Sequence, residues 1–284
     1  MRTVTLPSGT PLPALGLGTW HYGESAPTRA DEVRAVRRAI ELGVRLFDTA
    51  EMYGEGGAEE VLGQALAEAL RAGDVRREEL TVVSKVYPHN ASRQGLPQAC
   101  ERSLRRLQLD RIDLYLLHWP GSHPLRDTVA AFEALQSAGR ITHWGVSNFD
   151  TREMRALWQV PGGPACAVNQ VYYSLSQRGI EFDLVPWMRA HRMPVMAYCP
   201  IDQGALAAEP ELLPIAQRLG ATPAQLALAW LLQRGDTVAI PKAVREPHLR
   251  DNAAAAELAL DAQALADLEA LFPPPAEKQE LMVL

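Results

Sequence analysis

FDTAEMYG, residues 47 to 54, is the stretch on which the reading of the chain turns. A run from Val44 to Phe47 stops at a carboxylate, Asp48, and five residues later comes a lone phenol, Tyr53, beside Gly54. An acid and a proton donor therefore leave one strand end together. Three later runs have the same form: LTVVSKV (80–86) delivers Lys85, IDLYLLHWP (112–120) delivers His118, and CAVNQVYY (166–173) delivers Asn169 and Gln170. Consecutive strands cannot all point the same way without crossovers between them, so the pattern predicts a parallel sheet with its polar groups at one end. In a closed barrel, that end is the active face.

Outward from there, strand and helix signals alternate along the chain. TVTLPSGTPLP, two short segments about Ser8-Gly9, predicts an N-terminal β-hairpin plugging the closed end of the barrel. LPALGLGTW (12–20) reads as a Gly-rich first strand, and DEVRAVRRAIELG (31–43) as a helix with Val33, Val36 and Ile40 at helical spacing. The same alternation gives helices at 57–73, 95–110, 128–140, 151–159, 180–192 and 221–235. Strands are predicted at 143–148, 193–200 and 237–243, besides those already named. Helices at 246–258 and 261–272 close the series, which predicts an α/β fold, an (α/β)8 TIM barrel, as one domain over residues 1–284. The tail beyond Pro273–Pro275 reads equally as disordered or as a flap over the barrel mouth.

Composition narrows the classes of function. With 284 residues, 47% hydrophobic and 22% charged, the chain can bury one large core. A net charge of -6 argues against nucleic acid and anionic membrane surfaces, which recruit basic patches. The N-terminus has no signal-like apolar stretch and no uncharged apolar run reaches about 18 residues, so a soluble cytoplasmic protein is expected. Cys100, Cys166 and Cys199 are odd in number and widely spaced, which suits reduced thiols. No CxxC occurs, and Pro120 and Pro124 break any helix that would align His118 with His123, so no metal is expected. GEGGAEEVLG (54–63) mimics a dinucleotide-binding loop but reads better as a helix entry. His21, His89, His143 and His191 read as surface or packing residues, and Trp144, Trp158, Trp187 and Trp230 as core.

The chemistry follows from the types of the strand-end residues. A phenol with an ordinary pKa of about 10 is a poor acid at neutral pH unless a cation stabilises its phenolate. Lys85 is that cation, and Asp48 is the carboxylate that keeps a buried lysine charged. His118 is then a donor orienting a carbonyl oxygen. The set fits protonation of a carbonyl oxygen but provides no attacking group, which implies hydride from a bound nicotinamide.

With these residues in view, the chain resembles the aldo/keto reductases over essentially its whole length. The resemblance rests on GLGTW (16–20), FDTAEMYG, VSKV, DLYLLHWP, GVSNF (145–149), VNQVYY, MAYCP and IPKA. It implies a catalytic tetrad of Asp48, Tyr53, Lys85 and His118, with the tyrosine as general acid. It further implies that NADPH lies across the strand ends, with Ser147, Asn148 and Gln170 at the carboxamide and Tyr198 stacked on the ring. Cys199, Pro200 and Ile201 would pass the pyrophosphate, and Lys242, His248, Asp251 and Asn252 would take the adenosine-phosphate end. The segment departs from the family at His248, where an arginine is usual, and at Ala243, where a serine usually follows the lysine. NADPH is the cofactor expected, with NADH left open as a second carrier and Arg245 or Arg250 as replacement charge. Trp20 and Trp119, with Tyr22 and Tyr87 beside them, are expected to form an aromatic mouth for a small carbonyl substrate. DTAEMYGEGGAEE with HWPGS resembles bacterial reductases of methylglyoxal and similar 2-oxoaldehydes, and a monomer is expected. The alternative on the same scaffold is a non-catalytic nicotinamide-binding redox sensor.

Overall fold

The computed structural model describes residues 2–284. It opens with an antiparallel hairpin, β1 (Thr3–Thr5) on β2 (Pro11–Pro13), in the register Val4↔Leu12. Val4, Leu6 and Leu12 are buried, so the hairpin covers apolar ground where the chain enters the main sheet. That sheet has eight parallel strands in chain order: β3 (Leu17–Gly18), β4 (Leu46–Asp48), β5 (Thr81–Val86), β6 (Ile112–Leu117), β7 (Ile141–Ser147), β8 (Asn169–Tyr172), β9 (Val195–Tyr198) and β10 (Thr237–Ala239). The outermost strands meet. Bridges Leu15↔Ala239 and Gly18↔Lys242, with Gly16 N–H donating to Ala239 O at 2.9 Å and Gly18 N–H to Pro241 O at 3.0 Å, close the sheet into an (α/β)8 barrel.

Helices cross between successive strands: α1 (Arg29–Glu41), α2 (Gly57–Ala72), α3 (Gly95–Leu107), α4 (Leu125–Ser137), α5 (Thr151–Trp158) and α6 (Leu184–Ala190). Two helices, α7 (Leu213–Arg218) and α8 (Pro223–Leu232), lie between β9 and β10, and α9 (Glu246–Ala254) and α10 (Ala262–Leu271) follow. Local chemistry sets their ends. Asp150 caps α5 by accepting from the N–H groups of Arg152 and Glu153, and Thr222 does the same for α8 ahead of Pro223.

Three expectations from the sequence are corrected. The stretch 12–20 is not one strand: its first residues belong to the hairpin, and only Leu17–Gly18 pair with β4. The glycines there serve close approach, since a Cβ on Gly16 would lie 2.3 Å from Leu46 Cδ2, and one on Gly18 2.8 Å from Ile240 O. The helix expected at 180–192 splits into a 3-10 turn, Gly179–Glu181, and α6, whose first turn contains Pro186. Proline fits a first helical turn, where its missing N–H has no partner to lose, so the helix begins beside it. Helix α7 was not anticipated; its Leu213–Arg218 span contributes only Ile215 and Ala216 to the core, too few to show a period.

Candidate active site

Strands β4, β5, β6 and β8 bring the expected polar residues together, although Gln170 stands near the start of its strand. Asp48 closes β4, Lys85 is the penultimate residue of β5, His118 follows β6 and Gln170 lies in β8. All four are buried. Lys85 Nζ donates to Asp48 Oδ2 at 2.7 Å, to Thr49 O at 2.9 Å and to the Tyr53 hydroxyl at 3.2 Å. Gln170 Nε2 donates to the other carboxylate oxygen of Asp48 at 2.7 Å. The His118 ring stands edge-on to the Tyr53 ring, centroids 5.7 Å apart. A run of 3-10 turn, Tyr53–Gly56, returns the phenol over Lys85, and Gly54 at φ 57 and Gly56 at φ 93 supply the left-handed backbone it needs.

Burial governs the proton affinities. It raises the Asp48 carboxyl and lowers the Lys85 ammonium, each opposed by the attraction of the other. His118 is pushed well below the ordinary imidazole range by burial and by the Lys85 charge, so it is neutral at pH 7 and carries one ring N–H. Tyr53 differs from the expectation of an acidified phenol. Burial drives its pKa well upward, and Asp48 and then Cys199 add to the rise. The lysine is closer to the carboxylate than to the phenol, so in this state its charge is spent on Asp48 and Tyr53 holds its proton firmly.

These residues floor a cleft of about 580 Å³. Trp20 and Trp119 line it, as do Ser147, Asn148, Gln170, Tyr198, Cys199, Pro200 and Ile201, and at its far end Lys242, His248, Asp251 and Asn252. The polar groups along it are held by one another. Ser147 Oγ donates to Gln170 O at 2.8 Å, Asn148 Nδ2 to His118 O at 3.1 Å, and Tyr198 OH to Asn148 Oδ1 at 2.9 Å. Asn169 turns away from the cleft, its amide donating to Phe149 O at 2.7 Å. The loop after β9 is set by Asp202, which accepts from Tyr172 OH and, at 2.7 Å, from Ser176 Oγ. At the far end Arg245 Nη2 donates to His248 Nε2 at 2.9 Å, whereas Arg250 is taken up by Glu246 at 2.7 Å. Among the described residues neither Lys242 nor Arg245 has a carboxylate partner.

Two of the four expected mouth aromatics lie elsewhere. Tyr22 is buried, and its hydroxyl donates to Ala243 O at 2.6 Å, which makes it a post under the far end of the cleft. Tyr87 stands behind the wall, edge-on to Trp119 with centroids 5.9 Å apart. His21, read as a surface or packing residue, is exposed and also lines the cleft: it stacks on Trp20 at 4.2 Å and pairs with Glu24 at 2.8 Å. Met52, Gln203 and Leu284 also line it, so the tail comes back to the mouth. Met52, one residue before the phenol, carried a positional signal, and Leu284 belongs to the tail for which a flap over the mouth is one of two readings; Gln203 carried none. Among the described residues no three His, Cys, Asp or Glu side chains gather as a metal site, and no helix is long and apolar enough to cross a membrane.

A barrel closed over Asp, Tyr, Lys and His side chains, with a cleft above them, defines an oxidoreductase scaffold that comparison with known proteins identifies. The Aldo/keto reductase family profile matches residues 14–272, and the chain belongs to that family. It is 48% identical over 275 residues to methylglyoxal reductase YeaE of Escherichia coli, covering 95% of this chain and 94% of that protein. It is 34% identical over 269 residues to a glyoxal reductase of Bacillus subtilis, covering 95% and 92%. The solved aldo-keto reductase of Klebsiella pneumoniae in complex with NADPH superposes with a TM-score of 0.94 at 47% identity, covering 100% of this chain and 99% of that one.

Proposed function

We propose that this protein is an NADPH-dependent reductase of small aldehydes, with 2-oxoaldehydes such as methylglyoxal as its substrates. The observation that carries the reading is the contact of the Tyr53 hydroxyl with Lys85 Nζ at 3.2 Å, on the floor of a cleft walled by Trp20 and Trp119. The cofactor fits the residues present. The cleft lining combines amide and hydroxyl groups with Lys242 and His248, and Arg245, outside the lining, donates to His248. Lys242 and His248 suit a phosphate. Ser147, Asn148, Gln170 and Tyr198 would hold the nicotinamide end, Cys199, Pro200 and Ile201 the pyrophosphate, and Lys242, His248, Asp251 and Asn252 the adenosine phosphate. When bound, the dinucleotide supplies a hydride.

The chain's own residues do the rest. The neutral His118 imidazole offers one N–H to the substrate oxygen and aligns it beside the phenol. Tyr53, protonated throughout the neutral range, gives its proton to that oxygen as negative charge develops there. Lys85 donates to the phenolic oxygen, so it stabilises the phenolate left behind, and Asp48, held by Gln170, keeps the ammonium charged in a dry site. The trough walls exclude water from the transfer. The relatives that act on methylglyoxal and glyoxal support the substrate class, as does the aromatic mouth. We place the protein in the cytosol as a single-domain monomer, where its three free thiols stay reduced.

The test is loss of the reduced-nicotinamide absorbance on mixing the protein and NADPH with a panel of short aldehydes. Turnover fastest on methylglyoxal and glyoxal is expected. Tight NADPH binding without turnover of any aldehyde would overturn the reading in favour of a redox sensor.

A further inference from the structure

Glu51 is a buried carboxylate two residues before Tyr53, and no step proposed above uses it. Its surroundings show what it does. Beyond the end of β4 the main chain continues to pair with β5: Thr49 N–H donates to Val83 O at 2.9 Å and Glu51 N–H to Lys85 O at 3.2 Å. In a parallel ladder the next rung runs from the N–H of residue 87 to the main-chain carbonyl of residue 51. That rung is made differently here, because Tyr87 N–H donates to the side-chain Oε1 of Glu51 at 2.7 Å. The same oxygen accepts from Asn90 Nδ2 at 3.1 Å, and Arg102 stands 3.6 Å from the other.

The carboxylate thus stands in for a backbone carbonyl. Released from the ladder, the main chain folds into the turn in which Tyr53 N–H donates to Ala50 O at 3.1 Å, and this turn carries the phenol back to Lys85. The same oxygen also fixes the start of the loop that bears Tyr87, whose ring backs Trp119 in the cleft wall. One side chain therefore sets two things at once, the spacing of Tyr53 from Lys85 and the seat of the substrate-side wall.

We propose that Glu51 is a positioning residue for the reaction, acting through the reach of its oxygen to Tyr87 N–H and not through its charge. The inference rests on the reductase reading of the site. Because a displacement of about 1 Å at the reacting groups costs up to about 100-fold in rate, the site is sensitive to this rung.

Two variants separate reach from charge. Glu51→Gln keeps the length and an acceptor oxygen without the charge; Glu51→Asp keeps the charge but is one methylene short. Both are compared with the wild type for kcat and KM with methylglyoxal, for NADPH affinity by fluorescence, and by crystal structure. The expected result is a Gln variant within about threefold of wild type and an Asp variant reduced about 10- to 100-fold in kcat/KM. In the Asp variant NADPH affinity is expected unchanged, since Glu51 does not line the cleft, and the Tyr53 hydroxyl is expected outside hydrogen-bond distance of Lys85. An Asp variant that works normally beside an impaired Gln variant would overturn the proposal, as would an unmoved phenol in both crystals. A wild type with no turnover would refute the reductase reading instead, and the crystallographic spacing would still decide the role of Glu51.

Discussion

Replacing Lys85 by methionine tests the core of the site without reference to turnover. The ammonium is completely buried, and its loss leaves the Asp48 carboxylate with Gln170 as its one remaining donor. Breaking a buried pair by removing one partner costs about 3–5 kcal/mol, because the charge left behind is uncompensated. At roughly 2–4 °C per kcal/mol, this corresponds to a fall in Tm of roughly 6–20 °C at neutral pH. The pH dependence has a definite sign. Burial already raises the Asp48 carboxyl, and the lysine's attraction and hydrogen bond are what oppose the rise, so in Lys85→Met the folded-state pKa climbs further. A carboxyl raised in the folded state contributes stability that is fully present below its unfolded value of about 3.9 and is lost as pH rises through the folded value. The deficit relative to wild type should therefore be larger at about pH 8 than at about pH 5. Adding Asp48→Asn should recover most of it at the higher pH. Urea unfolding of the three proteins at both pH values is the assay. Equal stability of Lys85→Met and wild type at both, or a double variant weaker than the single one, would refute the reasoning.

Tyr53→Phe should lower turnover by about 10²–10⁴-fold while NADPH affinity, read by fluorescence, stays within threefold. Full activity would remove the phenol from the chemistry. His248→Arg should tighten NADPH relative to NADH by about tenfold, the value of one added charge-assisted hydrogen bond at a phosphate; an unchanged ratio of dissociation constants would show that the phosphate lies elsewhere. Asp202→Ala removes the acceptor of Tyr172 and Ser176 that sets the loop after β9. NADPH release, followed by stopped flow, should then quicken by about tenfold, and an unaltered rate would mean that the loop does not bear on the cofactor.

The barrel was legible because a parallel sheet is buried on both faces, so its strands stand out as apolar runs, and three of them lead into a charged or imidazole side chain that apolar packing cannot explain. That is why Asp48, Lys85 and His118 were found from their positions alone. The first strand was misjudged for a physical reason. Glycines 16 and 18 answer to steric contact across a seam formed by distant parts of the chain, and local pattern does not report it. Tyr22 and Tyr87 show the same limit. Their composition suits a mouth, but which way an aromatic ring faces depends on a partner such as Ala243 O or Trp119, far away in sequence. Glu51 was invisible as well, since nothing in a single acidic residue signals that it replaces a main-chain carbonyl.

The seam between β3 and β10 is made of two isolated bridges, whereas β5, β6 and β7 share continuous ladders. Gly18 and Lys242, which form one of these bridges, also line the trough. A molecule lying along that trough touches both sides of the join and acts as a clasp on the cylinder. Occupancy should therefore slow amide exchange at Gly16 and Gly18 and protect the whole barrel against opening.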